Sequence, residues 1–221
     1  MTAWKLAPWF VFVLALPAFA DEARHVALDD VPRITQTKLG LHGDPINVAL
    51  VGTKEDLIAA MLAAKWQPAD PITFKSSAKL AASVVLHKPD EKAPVSNLYL
   101  WKHKEDLAFE QQVGPDARRR HHVRLWLSAK QVNGRPLWVG AATFDTKVGF
   151  SHKTGLITHH IDANIDADRD KLMEDLKALG RMPAADEIEG FQTQHDGHNG
   201  GGDAYHTDGK LLLGSLDNQG R

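Results

Sequence analysis

Two strand-like runs, His121–Leu127 and Pro136–Phe144, stand on either side of Asn133-Gly134. That dipeptide accepts the positive φ angles of a tight hairpin turn, so the centre of the chain is predicted to be an antiparallel pair. Successive side chains of a strand point to opposite faces. A third strand is predicted at Gly155–Ile161, and it carries a second double histidine, His159-His160, to match His121-His122.

The flanking segments supply helices. Ile46–Val51 reads as a buried strand ended by Gly52, followed by Thr53-Lys54-Glu55-Asp56, a capping-box pattern with Asp in the usual Glu or Gln position. Leu57, Ile58, Met61 and Leu62 then recur at helical spacing, giving a helix to about Lys65 with Trp66 packing back onto the sheet. A second helix is expected from Asp166-Ala167-Asp168, with Leu172, Met173, Leu176 and Leu179 as apolar positions and Gly180 as its stop. Pro68–Pro94 reads as loop with a short helix near 78–85. Leu98–Trp101 reads as a short strand and Lys102–Gln112 as a polar stretch anchored by Leu107 and Phe109, with Leu211–Leu213 as the final strand. The fold class is α+β: a single domain with a mixed β-sheet of roughly five to seven strands and two main helices packed on it.

Residues 1–20 have one charge, Lys5, ahead of an apolar run from Leu6 to Leu16 and an Ala18-Phe19-Ala20 cleavage pattern. They are read as a signal peptide, with an uncleaved anchor as the alternative. The expected location is therefore periplasmic or secreted. Residues 21–45 have no clear period and are read as an irregular leader lying over the core, ahead of the domain at 46–221. Cleavage would remove Lys5 and no acid, taking the formal charge from −2 to −3. A chain so near neutrality is not expected to bind nucleic acid. With no cysteine, thiolate catalysis, zinc–thiolate sites and disulfides are excluded.

Strand alternation sorts the histidines. His121 shares a face with Val123, Leu125 and Leu127, whereas His122 shares one with Arg124 and Trp126. His159 falls with Ile157 and Ile161, and His160 with Thr158 and Asp162. The candidate metal set is thus His122, His160 and Asp162, suited to a divalent transition metal such as zinc, manganese or iron(II). Arg124, with Arg119 and Arg120, is the candidate anion-binding group. His121 and His159 are expected to be buried and hydrogen-bonded. Structural histidines in a hydrogen-bonded sheet are the alternative to any metal.

Three further segments admit two readings each. Arg118-Arg119-Arg120 suits anionic headgroups or a solvated strand edge. Asp162, Asp166, Asp168 and Asp170 hint at calcium but fit a helix start better. Gly197–Asp203 is an anion-holding loop or a flexible turn. Asp203 and Asp208, near His195, His198 and His206, leave an accessory metal site open.

The chain resembles the LssY C-terminal domain family. The resemblance rests on Ile46–Gly52, Trp66, Asp106-Leu107-Ala108-Phe109, Arg120–Trp126, Trp138–Asp145, Thr158–Asp162, Asp166–Asp170, Asn199–Asp203 and Thr207-Asp208-Gly209. It departs from the family at His198, where Arg is expected, and His206, where an aromatic residue is expected. The resemblance implies a cell-envelope location and no assigned reaction. The family's frequent attachment to membrane regions of lipid-phosphatase or DedA type implies envelope lipid or phosphate chemistry. Two functions follow as expectations. One is a binding or accessory module that recognises an anionic envelope ligand, a lipid or a membrane-protein partner. The other is a metal-dependent, phosphoesterase-like hydrolase using the His/Asp cluster.

Overall fold

The computed structural model describes residues 26–69, 97–115, 118–153, 155 and 157–217. The predicted signal peptide and the predicted short helix near 78–85 lie outside them. The central hairpin joins β8 (Arg120–Val132) to β9 (Arg135–Phe150), the two longest strands. Asn133 and Gly134 take φ of +50° and +72°, the left-handed pair a two-residue hairpin turn needs.

This hairpin nucleates an eight-stranded sheet. Beyond β8 lie β7 (Leu107–Gln112) and β4 (Gln67–Pro68). Beyond β9 lie β3 (Val48–Val51), β14 (Leu211–Ser215) and β11 (Ala185–Ile188). β10 (Ile157–Ile161) pairs with the far end of β9. Among the described residues of this sheet, only β14 and β3 run parallel, so the sheet is mixed. Its strands outnumber the five to seven expected, because the polar stretch Lys102–Gln112 pairs as strand.

The two main helices cover one face. α1 (Lys54–Ala63) begins at the predicted capping box: Thr53 Oγ1 accepts from Asp56 N, and the Asp56 carboxylate accepts from Thr53 N. α2 (Ile165–Ala178) is capped by Asn164, two residues before Asp166, so the predicted acids Asp166 and Asp168 fall in its first turn, and it ends at Gly180 with φ +63°. Leu57, Ile58, Met61, Leu172, Met173 and Leu176 pack with Val48, Leu50, Val123, Leu125 and Trp66 in one core. Leu179 lies past the helix end and is exposed, unlike its expected core position.

The second face of the sheet is covered as well. The segment read as an irregular leader forms β1 (Ile34–Thr37) and β2 (His42–Pro45), which join β5 (Leu98–Leu100) and β6 (His103–Lys104) in a four-stranded sheet, order β2-β1-β5-β6. Leu98 and Leu100 share a second core with Trp126, Val139, Ala141, Ala49 and Val51. The α+β fold therefore has three layers: helices, large sheet, small sheet. A two-stranded ribbon, β12 (Asp196–His198) and β13 (Ala204–His206), brackets the glycine-rich loop.

Asn47 joins two layers. Its amide donates to Ala142 O and Ile165 O and accepts from Ala142 N, tying β9 to the start of α2.

Candidate functional site

A cavity of about 420 Å³ opens between the two sheets. Its rim carries the exposed Leu39 and Leu41 together with Lys38 from the β1–β2 turn, and Leu98 from β5 and Ile161 from β10 add apolar wall. Its floor is charged, with Asp44 from β2, Arg124 from β8, Asp145 from β9 and His159 from β10. One wall is the loop Asn199-Gly200-Gly201. That loop is organised by a single side chain: Asn199 Oδ1 accepts from the backbone N–H of both Gly201 and Asp203, at 3.0 Å each. The Asn199 amide also donates to Asp44 Oδ1 at 3.3 Å.

Charges at the floor are paired and shielded from water. Arg124 Nη1 donates to Asp44 Oδ2 at 3.1 Å. Arg120, just behind, donates to Asp145 Oδ2 at 3.0 Å, Glu110 Oε2 at 2.8 Å and His159 Nε2 at 3.0 Å. An arginine N–H can only donate, so that nitrogen of His159 is an acceptor and its proton sits on Nδ1. Burial pushes the carboxyls of Asp44, Asp145 and Glu110 up, while the arginine beside each pulls it part-way back. His122 lies between the two arginines on β8. Burial, reinforced by Arg124 and Arg120, drives its imidazole well below the ordinary range, so the ring is neutral. Both its ring nitrogens, and Oγ1 of its cross-strand partner Thr143, are buried without a hydrogen-bond partner among the described residues.

The predicted cluster divides between different surroundings. His122 and Arg124 share the cleft-side face, as alternation required. His160 does not join them: His159 and Ile161 line the cleft, while His160 Nδ1 pairs with Asp203 Oδ1 at 2.6 Å. Asp162 Oδ1 accepts from Asn164 N in the turn before α2. The expected set His122, His160 and Asp162 is therefore not assembled. Among the described residues, the trio whose ligand atoms lie within 4.8 Å of one another is His152, His160 and Asp203.

The other candidates have structural partners. His121 faces the helices and meets Asp168 Oδ1 at 2.5 Å, packed between Trp66 and Phe144. Leu127, assigned to that same core face, is exposed. Arg119 is exposed, its guanidinium 5.7 Å from the Phe144 ring centroid. Asp208 receives a bidentate pair from Arg169, at 2.7 and 3.0 Å. Asp166 accepts from Thr207 Oγ1 and Asp208 N, so the acids of this segment fasten a loop rather than surround a cation.

A family model described as LssY C-terminus matches residues 28–211. The chain belongs to the LssY C-terminal family. The match starts ahead of Ile46, so the LssY C-terminal region includes β1 and β2, the strands that complete the cleft. Neither a curated protein nor a solved structure matches the chain.

Sequence reading missed Asp44, Asp145, Glu110 and His152. Asp145 carried a usable signal, since it lies on the hairpin arm facing the double histidine. Asp44 carried none, because its strand has the sequence His-Gly-Asp-Pro.

Proposed function

We propose that this LssY C-terminal domain is a secreted or periplasmic binding module whose cleft takes an amphiphile with an anionic head, such as an envelope lipid. The observation that carries the reading is the cleft itself, about 420 Å³, with two leucines and Lys38 at its rim, apolar wall from Leu98 and Ile161, and a buried arginine in its floor. Pockets of about 300–1,000 Å³ suit small molecules, and apolar walls with a few placed polar groups give orientation. Arg124 is the recognition group. One of its partners, Asp44, is a carboxyl that burial has pushed up, so protonation weakens that hold on the guanidinium and favours an incoming phosphate or carboxylate. The anion and Asp44 compete for one cation, and affinity should rise as the pH falls.

The hydrolase reading was built on His122, His160 and Asp162, and it loses that ligand set. The N-terminal apolar run of the sequence supports the proposed location.

Calorimetric titration with dihexanoyl phosphatidylglycerol tests the proposal, with dihexanoylglycerol, which lacks the phosphate, as the neutral-head control. Saturable binding of the anionic lipid, weakened on the order of tenfold or more in Arg124→Gln, is the expected result. Equal binding of both lipids, or an unaltered Arg124→Gln, would refute anion recognition in the cleft.

A further inference from the structure

Outside the cleft, three chain segments bring metal-ligating side chains together. We propose that His152, His160 and Asp203 form a site for one divalent transition-metal ion of the zinc class. This proposal is independent of the cleft's ligand. His160 Nδ1 lies 2.6 Å and His152 Nε2 3.9 Å from the same oxygen, Asp203 Oδ1. The two imidazole centroids are 5.2 Å apart with planes at 53°. Zinc bonds of about 2.0–2.1 Å in a tetrahedron require ligand atoms about 3.3 Å apart. A small opening of the His160–Asp203 pair and a small closing of His152 reach that spacing.

The backbone is built for the approach. His152 N donates to Gly201 O at 2.8 Å, fastening the β9–β10 connection to the loop that carries Asp203. Asp203 Oδ2 accepts from Ile161 N at 3.3 Å, which aims the opposite oxygen at the two rings. Two glycines leave room for the imidazoles. A Cβ at Gly149 would stand 2.6 Å from His160 Nε2, and one at Gly202, where φ is +92°, would stand 2.8 Å from His152 Cβ. His160 is buried and Asp203 half-buried, while the His152 side chain is 68% exposed. An ion held there would keep coordination positions open to solvent on the His152 side. Three protein ligands with a free position are what a metal needs to bind a further molecule. The ion would also clamp Ser151 against Gly201, two residues of the cleft wall.

The test is calorimetry and thermal melting of the untagged full chain with zinc chloride after chelator treatment. The expected result is one ion per chain, a melting temperature raised by zinc, and affinity lowered by more than about tenfold in both His152→Ala and Asp203→Asn. His152 is exposed, so His152→Ala keeps the fold even if Asp203→Asn does not. No saturable binding would overturn the proposal. So would binding unaltered in His152→Ala, because the ion would then sit on other histidines.

Discussion

At the residue scale, the cleft-side face of β8 carries Arg120, His122 and Arg124, three nitrogenous side chains in one strand. His122 is neutral because burial and two flanking arginines oppose its charge. Its folded pKa is depressed, so unfolded chains take up a proton first as pH falls below about 6.5, and stability is lost from there downward. The raised carboxyls act in the opposite direction, since the folded state holds their protons more tightly, and a variant comparison isolates the histidine. His122→Leu should match or exceed wild-type stability at neutral pH, because it removes an unsatisfied polar group. Its advantage should widen by up to about 1.4 kcal/mol per pH unit below 6.5 in denaturant titrations. An advantage that does not grow with acid would mean that His122 is already charged or hydrated in the fold.

Arg120 is the opposite case, a cation with three partners. Arg120→Met strands Asp145 and Glu110 beside each other and should destabilise by about 3–5 kcal/mol at neutral pH. The loss should shrink in mild acid, where the stranded carboxyls take up protons. Chemical denaturation at two pH values measures both effects.

At the scale of elements, the sequence and the fold agree where the information is local. The Asn133-Gly134 turn, the Thr53/Asp56 box and the Gly180 stop were all legible, because each depends on a few adjacent residues. Thr53→Ala should cost about 0.5–2 kcal/mol in thermal or denaturant unfolding. Little or no loss would show that the box adds nothing beyond packing.

Alternation also grouped His122 with Arg124 correctly. It failed across strands, since it says which residues of one strand share a face and nothing about the phase of the next. β10 presents His159 to the cleft, and its register against β9 shifts between His160 and Ile161. The hairpin register shifts as well. Val132 pairs with Arg135, but past an irregularity between Leu127 and Gln131 the partner of Arg120 is Asp145, two residues from where the turn alone would set it. The second sheet was invisible for another reason. Strands as short and polar as Ile-Thr-Gln-Thr and His-Gly-Asp-Pro become strands by pairing with each other and with β5, and nothing in their own pattern announces it.

At the scale of the whole molecule, that second sheet turns a wet face into a cleft. Without β1, β2 and β5, Arg124 would face water and hold an anion weakly. Beneath them it is buried against Asp44, and the ion pair sets the terms of binding. Asp44→Asn should therefore separate stability from affinity. It removes the Asp44 charge from beside Arg124, leaving Asp145 and Glu105 as the acids that act on it, and should destabilise the free protein, yet it should tighten binding of an anionic head and flatten its pH dependence. Unfolding and lipid titrations on the same variant test the two signs together, and weaker binding in Asp44→Asn would contradict competition for Arg124.

The most direct measurement follows the side-chain signals of Arg124 and Asn199 by nuclear magnetic resonance during titration with dihexanoyl phosphatidylglycerol. Saturable shifts of both groups, strengthening as the pH is lowered because the Asp44 carboxyl, pushed up by burial, competes less once protonated, are the predicted result. Saturable binding that leaves Arg124 and Asn199 unmoved would place the ligand elsewhere and contradict the cleft as the binding site.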